Sequence, residues 1–377
     1  MILPGATLGM LGGGQLGRMF TIAARTMGYR VIVLDPDPDS PAGRLADEHL
    51  HAAYNDDWAL EQLGRSCAAV TTEFENIPAD TLRRLAAFCP VRPAAAALER
   101  TQNRIREKTF IQQAGLATAP FRAVESPADL EAAFAAIGGP AILKRAAFGY
   151  DGKGQYVVDS LEAAREAFNA MDGVPCVLER RVNLAVEVSV MVARNPSGQV
   201  TTYPVAENVH VNGILDTTIV PARIDAALAS KARAAATRLA EALDYCGVMG
   251  VEFFVTDAGE LLVNEVAPRP HNSGHYTIDA CITSQFEQQV RMVCDLPFGD
   301  TRLLSPVVMI NLLGDLWASG NPPWEGLLAD PAAKLHLYGK STARPGRKMG
   351  HFCCLAEDVD TALAHARRAM SQLSGRS

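Results

Sequence analysis

An apolar run that breaks into a cluster of glycines constrains this chain more tightly than any other feature. In "TLGMLGGGQLGRM", Thr7 to Leu11 have the pattern of a buried strand. Gly12, Gly14 and Gly17 then spell G-x-G-x-x-G ahead of a segment that can open a helix at Gln15. Strand, tight turn and helix make the first unit of a doubly wound parallel sheet. Two readings fit the spelling. It is either a dinucleotide fingerprint, with Asp35 at the end of "YRVIVLDPDPDS" receiving a ribose, or the small-residue turn that any such sheet needs. In the second case Asp35 is an ordinary strand-end acid and the helix N-terminus can receive a substrate anion.

The pattern that follows extends the unit. Thr7 to Leu11, Arg30 to Leu34 and Ala68 to Thr72 read as strands, and Gln15 to Met27, Asp57 to Arg65 and Ala79 to Phe88 as helices. This alternation predicts a parallel sheet covered by helices. "CPVRPAAAALER" reads as a connector, and Asn103 to Ala114 as a charged helix stopped by Gly115. From Thr118 strands dominate, which predicts an α+β region with antiparallel pairing, interrupted by one long helix at Ala226 to Asp244. "SPVVMINLLG", "KLHLYGK" and "HFCCLA" are strand-like, and a last helix runs from Asp358 to Leu373.

At 377 residues the chain exceeds what one core usually serves, so two or three domains are expected. A net charge of -7 argues against a nucleic-acid surface. The eight cysteines show no C-x-x-C, which fits reduced thiols of a cytoplasmic protein. Neither a signal peptide nor a membrane span is indicated.

Four constellations carry chemistry. In "AILKRAAFGYDGKGQYVV" a strand ending at Lys144 leads through glycines to a second strand, so the glycines sit at a hairpin tip where backbone N–H groups can face phosphate. Taken alone, a flexible hairpin with a charged tip is the favoured explanation. In "VEFFVTDAGELLVNEV" a four-residue loop, Asp257 to Glu260, pairs Thr256 with Leu261 and sets Glu252 opposite Glu265. Opposed like charges destabilise a hairpin, and a divalent metal relieves them; a register slip that separates the two acids is the alternative. "APRPHNSGH" packs Arg269, His271, Asn272, Ser273 and His275 into one stiff loop, suited to a small oxyanion. "KSTARPGRKMGH" gathers Lys340, Arg344, Arg347 and Lys348, either a solvated basic loop or a phosphate clamp.

In this order, "GGGQLGRM", "TTEFENIP", "GYDGKGQ", "APRPHNSGHYTIDACITSQFEQ" and "RPGRKMGH" resemble the ATP-grasp superfamily and, within it, the family of 5-(carboxyamino)imidazole ribonucleotide synthases. The resemblance implies a Rossmann-like pre-ATP-grasp domain over 1–108 and an ATP-grasp domain over 109–300. The latter would comprise a lid at about 118–184 and a metal and substrate subdomain at about 185–300, followed by a small C-terminal domain over 301–377. It also implies ATP and Mg²⁺ as cofactors, bicarbonate as co-substrate, 5-aminoimidazole ribonucleotide as substrate, and a homodimer.

Carried over position by position, Arg104, Lys144 and the loop Gly149, Tyr150, Asp151, Gly152, Lys153, Gly154 and Gln155 would hold ATP phosphates. Glu179, Arg180, Arg181 and Val182 would read adenine, with Glu187 near the ribose and His210 also at the nucleotide. Glu252 and Glu265 would bind metal with Asn264 beside them, and Arg269 and His271 would hold bicarbonate. Gln15, Leu16, Glu73, Asp151, Asn272 and Ser273 would touch substrate, and Lys340, Arg347 and Lys348 would clamp its phosphate. Lys144, Asp151, Arg269 and His271 form the expected catalytic set, with Asp151 or His271 handling the amine proton. Where many ATP-grasp enzymes have N-E-x-N, this chain has Ala267 at the last position, so one metal would lean on water or phosphate oxygens.

Three rivals stand beside this reading. A formate-dependent phosphoribosylglycinamide formyltransferase shares the fold and clamp. An NAD-dependent oxidoreductase would leave the acid pair unexplained, and a non-catalytic nucleotide-binding module would leave Lys144 and both acids without a purpose.

Overall fold

The computed structural model describes residues 1–147 and 154–374. Gly149, Tyr150, Asp151, Gly152 and Lys153 therefore lie outside the described residues.

The N-terminal sheet comprises β1 (Thr7–Leu11), β2 (Arg30–Leu34), β3 (Glu48–Leu50) and β4 (Ala69–Thr72), all parallel in the order β3-β2-β1-β4. Helix α1 (Gln15–Thr26) connects β1 to β2, α2 (Asp57–Ser66) connects β3 to β4, and α3 (Ala79–Leu85) follows β4. Strand β3, three residues with one buried apolar side chain, is too short to show a period in the sequence.

The glycine turn between β1 and α1 has its amides already engaged. Gly13 N–H donates to Asp35 Oδ2 at 2.6 Å, while Gly14 and Gly17 donate to the two oxygens of Glu73 at 2.5 and 2.7 Å. A Cβ on Gly12, whose φ is +100°, would stand 2.4 Å from Glu73 Cγ. The glycines thus make room for the chain's own acids, not for a pyrophosphate or substrate anion, and the expectation of a free anion site at this helix N-terminus is corrected. Asp35 also accepts from the Tyr54 hydroxyl at 2.7 Å and the Asp37 amide at 2.7 Å, so it is no ordinary strand-end acid.

The expected connector is in fact a helix, α4 (Ala95–Thr101), which buries Ala97 and Leu98. Its alanines favour a helix once those two have a core to face, and the prolines stop short of it at Pro93. Next, α5 (Arg104–Gln113) is capped by the Asn103 side chain, which accepts from Ile105 and Arg106 N–H.

A second sheet holds β5 (Phe121–Val124), β6 (Ala141–Arg145), β7 (Gln155–Val158) and β8 (Cys176–Arg180), antiparallel in the order β5-β8-β6-β7. Helices α6 (Pro127–Ile137) and α7 (Leu161–Ala170) supply its core partners. Strands β6 and β7 form the expected hairpin, with Lys144 opposite Gln155 and Gly154 at φ +72°.

The third sheet is built from β9 (Leu184–Arg194), β10 (Val200–Thr202), β11 (Ala206–Val211), β12 (Ile214–Val220), β13 (Gly247–Thr256), β14 (Leu261–Ala267), β15 (Val307–Leu313), β16 (Ala333–Leu337) and β17 (Lys348–Leu355). Its antiparallel path runs β14-β13-β9-β11-β12-β15-β17-β16, with β10 on β9. The C-terminal strands therefore continue the central sheet. Helix α8 (Ala226–Ala242) covers one face. The helices α9 (Thr277–Ala280), α10 (Gln285–Val293), α11 (Trp324–Leu328) and α12 (Val359–Ser374) follow. Phe286, Val290 and Val293 of α10 pack into the N-terminal core and join the two parts. Among the described residues no helix is long and apolar enough to cross a membrane.

Gly12→Ala forces a side chain into left-handed backbone and against Glu73. We expect a loss of about 2–5 kcal/mol, read as a lower thermal unfolding midpoint. An unchanged midpoint would contradict the close packing of Glu73 on the turn.

Candidate active site

The β13–β14 hairpin brings Glu252 opposite Glu265, though not by the expected turn. Leu261 pairs with Val255 rather than Thr256, which alone would place Asn264 against Glu252. A bulge at Asn264 restores the register and returns both acids to one face. Arg104 Nη1 of α5 lies 3.0 Å from Glu265 Oε2, and His271 Nε2 lies 3.5 Å from Glu252 Oε1. Burial raises both carboxyls, but Arg104 outweighs it at Glu265, whose pKa falls, whereas burial and the Glu265 charge hold Glu252 above the usual range. One member of the pair is ready to ionise while the other resists.

Helix α5 supplies more than Arg104. Glu107 Oε1 accepts from Val266 N–H at 2.6 Å, and Lys108 Nζ reaches Asn264 O at 3.4 Å and Glu179 Oε2 at 3.2 Å. Neither residue was foreseen. The signal was present, because Arg104, Glu107, Lys108 and Ile111 follow i, i+3, i+4, i+7 and share one helix face.

Lys144 Nζ also meets Glu179 Oε2, at 3.0 Å. Burial would raise the Glu179 carboxyl, but Lys144, Lys108 and Arg104 hold it down to about 2. Beside this triad opens a cavity of about 460 Å³ lined by Lys144, Glu179, Arg180, Arg181, Val182 and Phe254. The expected adenine residues therefore share one pocket with the expected phosphate lysine. The Arg180 guanidinium donates to Ile137 O at the end of α6. Glu187 and His210 pair at 2.9 Å; burial disfavours charge on His210, yet the bond to Glu187 and the charge of Glu252 raise its pKa overall.

The loop after β14 holds a hydrogen-bonded chain. Thr218 donates to Asn208, Asn208 to Ser189, Ser189 to the Ser273 hydroxyl at 2.8 Å, and that hydroxyl meets His271 Nδ1 at 2.9 Å. Ser273, expected at the substrate, is fully buried and orients His271 instead. With Ser273 N–H also directed at Nδ1, the ring hydrogen resides on Nε2. Burial, reinforced by Arg269 and Lys348, pushes the His271 pKa down to about 3, so the ring is neutral. The Asn272 amide is buried with no partner among the described residues. Arg269 is gripped by Glu75, a residue the sequence reading passed over.

The basic loop folds back to the N-terminal domain. Lys340 Nζ bonds Gln15 Oε1 at 2.5 Å and Lys348 O at 2.6 Å. Glu73 is held by the glycine turn, and Leu16 packs against the N-terminal core. Arg347 Nη1 donates to Thr342 O at 2.8 Å on the exposed side of the loop.

Three family models divide the chain: the ribonucleotide synthetase preATP-grasp domain at residues 5–102, the ATP-grasp domain at 109–286 and the phosphoribosylaminoimidazole carboxylase C-terminal domain at 307–365. The N5-carboxyaminoimidazole ribonucleotide synthase of Bacillus subtilis is 45% identical over 360 residues, 96% of this chain and 94% of the relative. The chain belongs to the N5-carboxyaminoimidazole ribonucleotide synthase family. The Brucella melitensis synthase is 48% identical over 92% of this chain and 96% of its own length. Among solved synthases, one in complex with ADP superposes with a TM-score of 0.92 at 45% identity, covering 98% of this chain and 97% of that one. The Aspergillus clavatus synthase with ADP and 5-aminoimidazole ribonucleotide gives 0.90 at 31%, over 98% of this chain and 99% of the other.

Glu179 neutralises two buried lysines with one carboxylate. Glu179→Gln should cost about 3–5 kcal/mol, more than Lys108→Met, which leaves Lys144 in place. Because its folded pKa is depressed, the Glu179 contribution is complete above its ordinary value of 4.5 and is lost as pH falls toward about 2. Chemical denaturation of both variants against pH checks this; equal losses in the two would contradict the shared-carboxylate arrangement.

Proposed function

We propose that the chain is an ADP-forming ligase that carboxylates 5-aminoimidazole ribonucleotide to 5-carboxyaminoimidazole ribonucleotide with ATP and bicarbonate, through carboxyphosphate, in cytoplasmic purine biosynthesis. The observation that carries the reading is the opposed Glu252 and Glu265, set between the Lys144–Glu179 pocket and the Arg269–His271 loop. The relatives' names agree on this product, which leaves the formyltransferase alternative without support.

The acid pair fits magnesium. Its donors are hard oxygens, and an ion with only two protein carboxylates takes its remaining ligands from phosphate and water. When bound, magnesium would neutralise charge on the transferring phosphoryl group. The chain's own residues do the rest. Arg104 balances Glu265 in the absence of nucleotide and is placed to turn to phosphate when the pair gains another countercharge. Lys144, with the hairpin amides, stabilises phosphate oxygens in the pocket. Arg269 holds bicarbonate so that its oxygen attacks the γ-phosphorus and ADP leaves. The ribonucleotide amine then attacks the carboxyphosphate carbon, and phosphate departs with that bicarbonate oxygen. His271 is neutral with its hydrogen on Nε2, which makes it a donor to the oxyanion and leaves the amine proton to Asp151. Lys340, Arg347 and Lys348 clamp the ribonucleotide phosphate.

Sustained ADP release should depend on bicarbonate and be stimulated by aminoimidazole ribonucleotide, and formate with glycinamide ribonucleotide should give background. Turnover with formate and none with bicarbonate would overturn the assignment. Glu265→Gln should lower kcat/KM at least about a hundredfold with an unchanged circular-dichroism spectrum. Retained turnover would remove the pair from the nucleotide site.

A further inference from the structure

Glu75 lies outside every role so far assigned, yet it makes one of the tightest polar contacts in the molecule. It sits in the turn between β4 and α3, two residues past Glu73. Gln102, the residue after α4, braces that turn by donating to both Glu75 O and Ile77 O at 2.6 Å. From this fixed backbone Glu75 Oε2 meets Arg269 Nε at 2.5 Å and Oε1 meets Nη2 at 3.2 Å.

The choice of guanidinium edge matters. A guanidinium has two edges that bind a planar oxyanion in bidentate fashion: the side formed by Nε and Nη2, and the end formed by Nη1 and Nη2. Glu75 takes the side. The end keeps one hydrogen on Nη2 and one on Nη1, and Nη1 has a second that can serve the 3.3 Å contact to Pro270 O. Burial opposes charge on the Glu75 carboxyl, but Arg269 outweighs it and lowers its pKa, so Glu75 is an anion that pins the cation in one plane.

We infer that Glu75 is a positioning residue of the reaction: by occupying the side edge of Arg269 it fixes the guanidinium plane and presents the end edge to bicarbonate. The inference rests on the assignment of Arg269 to the bicarbonate site. It also gives the stretch Glu73 to Glu75 a single purpose. One acid locks the glycine turn beside Gln15, the other locks the arginine of the second domain, and the ribonucleotide and the oxyanion are set in register by three consecutive residues. An ion pair serving only as a domain fastener would act on every substrate alike.

The test is steady-state ADP release by the full chain carrying Glu75→Gln, Arg269→Lys and both together. Glu75→Gln should raise the KM for bicarbonate about tenfold or more while the KM for ATP stays within about twofold. The double variant should be no worse than Arg269→Lys alone. Glu75→Asp keeps the charge but withdraws it by one methylene, and should raise the bicarbonate KM less; it carries the same test if the Gln variant does not fold. If Arg269→Lys raises the bicarbonate KM and the Glu75 variants do not, or if they shift all KM values alike and add to Arg269→Lys, the positioning role is overturned and the Arg269 assignment stands. If Arg269→Lys itself leaves the bicarbonate KM unchanged, the assignment beneath the inference has failed.

Discussion

Two carboxylates face each other across a β-hairpin, and much of the site is arranged around that fact. The bulge at Asn264 exists to keep Glu252 and Glu265 on one face, against a turn that would separate them. Such a pair is unfavourable unless a cation stands between or beside the charges. The structure meets this with Arg104 on one acid and with burial that keeps the other from ionising readily. That balance of charge is the one the proposed magnesium nucleotide would require.

Helix α5 ties this pair to the rest of the pocket. Arg104, Glu107 and Lys108 lie on one stripe and reach three points: Glu265, the Val266 amide, and Glu179 with the Asn264 carbonyl. Lys108 and Lys144 share the Glu179 carboxylate, so the second sheet, which carries Lys144 and Glu179, and the hairpin of the third sheet are joined through one helix. Movement of that helix would alter Lys144 and the acid pair together. At the other end, Lys340 joins the C-terminal loop to Gln15 on α1.

What the sequence made legible follows a physical division. Short-range patterns were readable: the strand-turn-helix opening, the β6–β7 hairpin and the opposition of the two acids. The last came out right although the turn was wrong, because a one-residue loop difference and a one-residue bulge cancel. Contacts between distant segments were not readable. Glu73 and Asp35 close on the glycine turn, and Glu75 on Arg269, only once the sheet and the loops have folded. Those contacts changed the meaning of the opening motif, whose glycines accommodate acids rather than a dinucleotide. Ser273 shows the same limit, since a hydroxyl on a polar loop reads as a ligand contact until the buried Ser189 and Asn208 are seen beneath it.

The coupling of ATP to bicarbonate activation proposed for this acid pair leaves an isotopic signature. With ¹⁸O-bicarbonate, magnesium, ATP and 5-aminoimidazole ribonucleotide, each phosphate released should carry one labelled oxygen, because the oxygen that attacks the γ-phosphorus stays with it when the amine displaces the phosphate. Phosphate carrying oxygen only from ATP and water, with carboxylated product still formed, would contradict it.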